Sequence, residues 1–359
     1  MSTKFKRYVL ATLGSTVLMG LLALPAEAKP PADNPNAGQP LKPSDGAVIN
    51  GRLDQIEATL DSMTGTGDQC TACHDDTDLI SSKHAQWSLS RHGTGEAFLR
   101  GTSGSCAGCH SGGAFVEQRV LNGTPVPDVE GDPSPSRQDC RTCHKIHVTY
   151  TPADWALETT DPVPLYAVTG ETFDKGKGNL CASCHQPRRQ FQDSVQNGEV
   201  GGISEHWGPH HGPQSGMMLG VAGSISKGPV SYHYSDGLPD GCVSCHKPNL
   251  HTFAPDTSLC TTCHASKADV LKQIQDDVNA LGDELVACGL ITENSPDGHP
   301  ADAITEDGVT IPLDQGAALW NWIYIAHEDK SMGAHNPSYT KELLAASTFD
   351  CPTPYPPSE

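Results

Sequence analysis

The chain carries little positive charge. Its 23 lysines and arginines stand against 43 aspartates and glutamates, which gives a formal net charge of -20. A phosphate backbone would be repelled by such a surface, so the composition argues against nucleic acid as a partner. After the N-terminal 28 residues no stretch is long and apolar enough to span a bilayer, so we expect no membrane span in the mature chain.

Regular hydrophobic periodicity is missing between residues 64 and 265. A stretch of about 200 residues without a core pattern is normally typical of disorder. The 36 glycines and 28 prolines add to the expectation that loops dominate. Something other than a periodic set of side chains must therefore supply the hydrophobic core of this part.

The N-terminus has the organisation of a secretory signal peptide. Lys4, Lys6 and Arg7 precede an apolar run over residues 8–24, and Ala26-Glu27-Ala28 has small residues where a signal peptidase reads them. The alternative is an uncleaved membrane anchor. Cleavage after residue 28 is favoured, and it predicts a periplasmic or extracellular protein. Residues 29–50 are predicted to be a flexible, proline-rich lead-in.

The sequence Cys-x-x-Cys-His occurs six times, and we number these motifs one to six. Two thiols at this spacing can form thioethers with the two vinyl groups of one porphyrin, and the following histidine can reach the iron as proximal ligand. The motifs consist of Cys70, Cys73 and His74; Cys106, Cys109 and His110; Cys140, Cys143 and His144; Cys181, Cys184 and His185; Cys242, Cys245 and His246; and Cys260, Cys263 and His264.

Zinc held by paired Cys-x-x-Cys units is the competing interpretation. A zinc site does not need a histidine after every pair, and here all six pairs have one. Covalent c-type haem is also attached outside the cytoplasmic membrane, in agreement with export. We therefore predict six covalent c-type haems, whose porphyrins act as the missing core.

With these motifs the chain resembles bacterial multihaem c-type cytochromes over roughly residues 65–350. Two further segments resemble respiratory multihaem cytochromes of the nitrite reductase and hydroxylamine oxidoreductase type. They are Trp87-Ser88-Leu89-Ser90-Arg91-His92, where that group often keeps a distal ligand, and Gly333-Ala334-His335-Asn336-Pro337-Ser338-Tyr339. The resemblance implies a fold of mostly coil and short α-helices wrapped around a haem chain, with little or no β-sheet.

Each iron also needs a sixth ligand, and eleven histidines outside the motifs could supply it. His147 and His251 closely follow a motif, so each could bind the iron of a neighbouring haem. Other candidates lie in loops upstream of a motif or in the C-terminal segment. The candidate distal ligands are His92, His147, His206, His210, His211, His233, His251 and His335.

Residues 51–265 are predicted to form the hexahaem domain, and residues 266–359 a helical C-terminal region. Apolar stripes at helical spacing start at Val270, at Leu319 and at Leu343. Cys288 and Cys351 are the two cysteines outside the motifs, and in an exported protein they are expected to form a disulfide.

Three functions fit these features. The first is respiratory electron transfer along closely packed, mainly bis-histidine haems, with redox proteins as donor and acceptor. The second is a multihaem oxidoreductase that acts on a small nitrogen or sulfur compound at one open iron. The ammonia-forming nitrite reductases and the tetrathionate reductase type mark that haem with lysine in place of the motif histidine, whereas all six motifs here end in histidine. The third is a subunit of an extracellular cytochrome filament, so oligomerisation is possible.

Overall fold

Short helices and coil make up most of the chain. The structure is a computed structural model that describes residues 77–246, 250–265, 267–295 and 297–356. The predicted composition of mostly coil and helix is confirmed, since strands are few and very short, while the wrapping of the chain around haems stays a prediction. The predicted signal peptide, the lead-in and motif one lie outside the described residues, and the proposed domain bounds at 51–265 and 266–359 stay a prediction.

The α-helices are α1 (Thr77–Ser88), α2 (Arg91–Thr94), α3 (Ala107–His110), α4 (Gly112–Ala114), α5 (Cys140–Cys143), α6 (Gly178–Ala182), α7 (Gln214–Leu219), α8 (Cys242–Cys245), α9 (Lys267–Cys288), α10 (Asp302–Thr305), α11 (Leu313–Trp322) and α12 (Pro337–Ala345). Apart from α1 with 12 residues, the described α-helices before residue 267 have at most six residues, whereas α9, α11 and α12 after it have 22, 10 and 9.

Turns of other helix types connect or extend these elements. The 3₁₀ turns span Ala97–Thr102, Val126–Asp128, Pro152–Trp155, Phe191–Ser194 and Thr257–Thr262. Segments of π-helix span Phe115–Leu121, His233–Gly237 and Ile323–Asp329, and the last of these continues α11. Within the described ranges no helix is both long and apolar enough to cross a membrane.

Two small antiparallel sheets tie loops together. Strands β1 (Val163–Pro164) and β2 (Thr172–Phe173) form one sheet. Strands β3 (Val195–Gln196), β4 (Glu199–Gly201) and β5 (Thr310–Pro312) form the other in the order β3-β4-β5. Val200 lies opposite Ile311, and both are fully buried. The second sheet therefore connects the loops after motif four with the start of α11.

The main hydrophobic core joins the C-terminal helices to the segment 163–222. Trp320 of α11 packs edge-on against Trp207 at a ring-centre distance of 4.8 Å, and its indole N–H donates to the Ala222 carbonyl at 2.8 Å. Loops without sequence periodicity thus contribute a conventional core here, which corrects the expectation that porphyrins alone replace it. Near motif two, by contrast, the second cluster consists of Ala107, Ala114 and Val129.

The predicted C-terminal helices and disulfide are confirmed. The stripe that includes Ile274 and Leu285 is buried on α9, and Leu343 is buried on α12. Cys288 at the end of α9 is bonded to Cys351. Because the chain after residue 351 returns to this helix, the Tyr355 amide also donates to the Cys288 carbonyl at 2.9 Å.

Candidate haem-binding sites

The five described motifs share one local conformation. In each of them the backbone N–H of the histidine donates to the carbonyl of the first cysteine, at 2.8 to 2.9 Å. This single helical turn places the two cysteines, three residues apart, on the same side of the backbone. Asp139 caps the motif-three turn, where its carboxylate accepts the N–H groups of Arg141 and Thr142. Local backbone bonding therefore holds the two cysteines of each described motif on one side of the turn.

Each motif histidine of the described chain faces a second histidine. The ring centres of the five pairs are 5.9 to 6.3 Å apart. A metal ion about 2 Å from one nitrogen of each ring, on opposite sides, separates two imidazole centres by about 6 Å. The pairs are His110 with His210, His144 with His251, His185 with His92, His246 with His335, and His264 with His233.

The hydrogen bonds of these rings leave one nitrogen available. A metal-binding imidazole typically donates its other N–H to an oxygen, which fixes the tautomer and the ring plane. Four of the ten paired rings have a neutral oxygen as the partner of Nδ1, whereas the buried Nδ1 of His251 has no partner. The partners are the Trp155 carbonyl for His144 at 2.8 Å, the Gln214 side chain for His185 at 2.9 Å, the Phe253 carbonyl for His246 at 2.7 Å and the Ala334 carbonyl for His233 at 3.1 Å.

Burial lowers the pKa of six of the ten paired imidazoles, those of His92, His110, His185, His210, His233 and His251. Burial, helped by the neighbouring His185, lowers the pKa of His92 to about 4. Burial, with a contribution from Arg188, lowers the pKa of His210 to about 3. Since a metal binds the lone pair of a neutral imidazole, these low pKa values suit ligands. The pKa of His335 is raised instead, because the Asp329 carboxylate outweighs burial.

Motif four lies at the centre of the described motifs. The Cys184 and Cys109 thiols are in hydrogen-bond contact, which lowers the pKa of Cys109 to about 7. The Cys181 and Cys242 thiols form a second such contact. Motif four therefore touches motif two through one cysteine and motif five through the other.

Motifs three and six join this group at its margins. The Cys143 thiol of motif three lies close enough to Cys181 and Cys184 of motif four to interact with them electrostatically. The Cys245 thiol of motif five likewise lies close enough to Cys260 of motif six to interact with it electrostatically. The short spacing between motifs five and six predicts such neighbours, whereas the position of motif four is not visible in the sequence.

The C-terminal end of the π-helix Ile323–Asp329 contacts polar groups that lie beside three motifs. The Gln214 amide, whose oxygen bonds His185, donates to the carbonyls of Glu328 at 3.3 Å and Asp329 at 3.2 Å. The Glu328 carboxylate lies 2.8 Å from Nδ1 of His211. The Asp329 carboxylate lies 2.7 Å from Nδ1 of His335. Such local π-helices are frequent at functional sites, because they turn consecutive side chains to unusual directions.

Three further candidate ligands, His206, His211 and His147, contact groups other than a motif histidine. His206 is exposed, and its Nε2 lies 3.7 Å from the Glu205 carboxylate. His211 forms the ion pair with Glu328 beside the ring of His210. His147 stacks on Tyr150 with a ring-centre distance of 5.5 Å. The structure thus brings five of the eight candidates to described motifs, and these three lie elsewhere.

The pairing and the supporting residues are what sequence reasoning missed. His92 precedes motif two but faces the histidine of motif four, and His335 faces motif five from the C-terminal region. Gln214 and Asp329, which orient two of the rings, have no sequence signal of their own. A buried carboxylate or amide can be recognised as a partner of a ligand only after the fold brings the two together.

Comparisons with known proteins give one distant likeness. No protein-family model matches this chain, and no curated protein matches it. Among solved structures it is similar to the undecaheme cytochrome from the S-layer of Carboxydothermus ferrireducens, with 19% sequence identity and a TM-score of 0.41. The match covers 68% of this chain and 37% of that one, so this chain spans a little over a third of that protein's length.

Proposed function

We propose that the protein is an exported hexahaem c-type cytochrome that relays electrons in respiration. The observation that carries this proposal is the set of five imidazole pairs, in which every described motif histidine faces a histidine from elsewhere in the chain. Each haem, when bound, supplies a reversible one-electron couple of its iron.

The residues present fit such a group. In each motif the cysteines provide two attachment points and the histidine one axial ligand, and the partner histidine provides the other. The Nδ1 hydrogen bonds hold the rings in the orientation that leaves Nε2 for the iron. Arg188, whose buried Nε has no hydrogen-bond partner, would find an anion in a haem propionate.

The motif contacts support a relay over an enzyme. Motif four is in contact with motifs two and five, and motifs three and six lie next to this group. A connected set of redox centres conducts without a substrate. An enzyme of the nitrogen or sulfur type needs an iron with an open face, and the imidazole that faces each described motif histidine supports closed sites instead.

Two sequence features support export, which remains part of the proposal. The basic head and Ala26-Glu27-Ala28 are typical of a signal peptide. The Cys288–Cys351 disulfide suits an oxidising compartment outside the cytoplasm. The resemblance to the nitrite reductase and hydroxylamine oxidoreductase group, the redox partners and the use of the chain in a filament also stay predictions.

The test begins with counting haems on the full chain produced in a host that exports and matures c-type cytochromes. Intact mass and the pyridine haemochrome assay should give six haems per chain, and five for the Cys260→Ala/Cys263→Ala variant. The reduced protein should pass its electrons to an electrode or a soluble redox protein and should not be oxidised by nitrite or hydroxylamine. A wild-type count below six, zinc in place of haem, or turnover of nitrite would overturn the proposal.

A further inference from the structure

Asp329 is the last residue of the π-helix Ile323–Asp329, and its carboxylate is fully buried. Its side chain is 0% exposed, and its Oδ1 lies 2.7 Å from Nδ1 of His335. The Ser331 hydroxyl donates to the other oxygen, Oδ2, and the Ser331 backbone N–H points to the same atom at 3.3 Å. Three donors therefore converge on one carboxylate, and no lysine or arginine of the described chain forms an ion pair with it.

The other paired imidazoles with a described Nδ1 partner bond a neutral oxygen. Three of these partners are backbone carbonyls, and the fourth is the side-chain amide of Gln214 on His185. His185 belongs to motif four, and His335 faces His246 of motif five; the Cys181 and Cys242 thiols of these two motifs are in contact. The Nδ1 partner of a ring is thus a neutral amide at the motif-four site and a carboxylate at the adjacent motif-five site.

A carboxylate on a ligating histidine makes the imidazole a stronger electron donor. A more electron-rich ligand stabilises the ferric iron, which has the higher charge, more than the ferrous iron. The buried charge of Asp329 acts in the same direction, because reduction adds an electron nearby in a medium of low dielectric constant. Both effects lower the reduction potential of the site.

We propose that Asp329 is a positioning residue that sets the motif-five haem at a lower reduction potential than its motif-four neighbour. The inference rests on the proposed function, since it takes His335 and His246 as ligands of one iron. The half-reaction is the uptake of one electron by ferric iron to give ferrous iron. No bond is made or broken, and the proton on Nδ1 of His335 stays in its hydrogen bond with Asp329.

The test is a spectroelectrochemical titration of the full holoprotein and of two reciprocal variants. Asp329→Asn should make the reduction of one haem about tenfold more favourable, a positive shift of about 59 mV for one electron. Gln214→Glu places a carboxylate on His185 and should shift a different haem by a similar amount in the negative direction. The remaining potentials should stay within experimental error in both variants.

A third variant separates tuning from structural damage. Ser331→Ala removes a donor from the Asp329 carboxylate and leaves its charge less neutralised, so it should shift the same potential negative. Structural damage would not shift the reduction potential in opposite directions in Asp329→Asn and Ser331→Ala. If Asp329→Asn does not fold, the Ser331→Ala and Gln214→Glu shifts decide the matter.

The outcomes also separate this inference from the proposed function. Unchanged potentials in variants that keep all haems low-spin would overturn the role of Asp329 and leave the relay intact. A wild-type protein with fewer haems than motifs, or with a high-spin iron at the His335 site, would overturn the proposed function itself.

Discussion

His92 and His185 face each other with ring centres 6.1 Å apart, although His92 lies upstream of motif two and His185 belongs to motif four. His92 sits in α2, a single helical turn capped by the buried Ser90 side chain, which accepts the Gly93 N–H at 3.2 Å. The chain upstream of one motif therefore faces the histidine of another. In each of the other four pairs the second histidine also comes from outside the motif that it faces, so the pairs depend on the fold.

The His92–His185 pair gives the first prediction. His92→Ala should convert one haem per molecule from low-spin to high-spin and make that iron bind carbon monoxide, because the imidazole opposite His185 is lost. Magnetic circular dichroism and carbon monoxide titration would measure this change. His206→Ala is the matched control, since His206 is an exposed histidine beside Glu205 and its removal should leave every described site closed. Low-spin iron at every site in His92→Ala, with no binding of carbon monoxide, would contradict the assignment of His92 as a ligand.

The disulfide gives the second prediction. Replacing Cys288 and Cys351 together by alanine should lower the free energy of unfolding by about 4 kcal/mol, the chain-entropy value for a loop of this length. The bond links residues 63 positions apart and joins α9 to the chain after α12. Urea unfolding followed by fluorescence and by haem absorbance would measure the loss. Equal unfolding midpoints for the variant and the wild type would show that the bond does not hold this end.

Tyr339 gives the third prediction. Its hydroxyl accepts the Gly223 N–H at 2.9 Å and donates to the Ile225 carbonyl at 2.5 Å, which fastens α12 to the loop after α7. Tyr339→Phe leaves the Gly223 N–H without this partner, so we expect a loss of about 1–3 kcal/mol in the free energy of unfolding. Tyr232→Phe is the control, because Tyr232 is 71% exposed and its change should be close to zero. Similar losses in the two variants would refute the specific role of the Tyr339 hydroxyl.

The His211–Glu328 ion pair gives a prediction on pH. Its hydrogen-bonded contact with Glu328 raises the pKa of His211 above the usual value. A raised folded-state pKa means that the stabilisation is fully present below the usual histidine value of about 6.5 and disappears as the pH rises through the raised value. Wild type should therefore be more stable than His211→Gln at low pH, and the difference should vanish in alkaline solution.

Urea midpoints of the two proteins across this pH range would measure the effect. The His211 side chain is largely exposed, so the difference should be small and should shrink in high salt. A difference in stability between wild type and His211→Gln that grows with pH would contradict the ion pair. The loss of a low-spin haem in His211→Gln would instead make His211 a ligand.

Features that depend on residue type and on local spacing could be predicted from the sequence. The helical turn of each described motif is a local bond between its histidine and its first cysteine, and α9 follows from the apolar stripe that includes Ile274 and Leu285. The disulfide follows from Cys288 and Cys351 being the pair outside the motifs in an exported chain.

What could not be predicted depends on long-range packing. Nothing local distinguishes His210, which faces His110, from its neighbour His211, which binds Glu328. His210 has a left-handed backbone with φ of 83°, and this conformation has no signature in the sequence. The core around Trp207 and Val200 was missed for a similar reason, since its residues come from loops and strands too short to show a period.

The central claim is that every haem iron has two imidazole ligands. The most direct test is electron paramagnetic resonance of the purified, oxidised, full-length protein, with integrated low-spin and high-spin signals, before and after addition of nitrite or carbon monoxide to matched samples. The account predicts low-spin iron at all sites, at least five per chain from the described pairs, and no change on addition of either ligand. A high-spin signal of one iron per chain that binds the added ligand would contradict it and would place an open, reactive haem in the molecule.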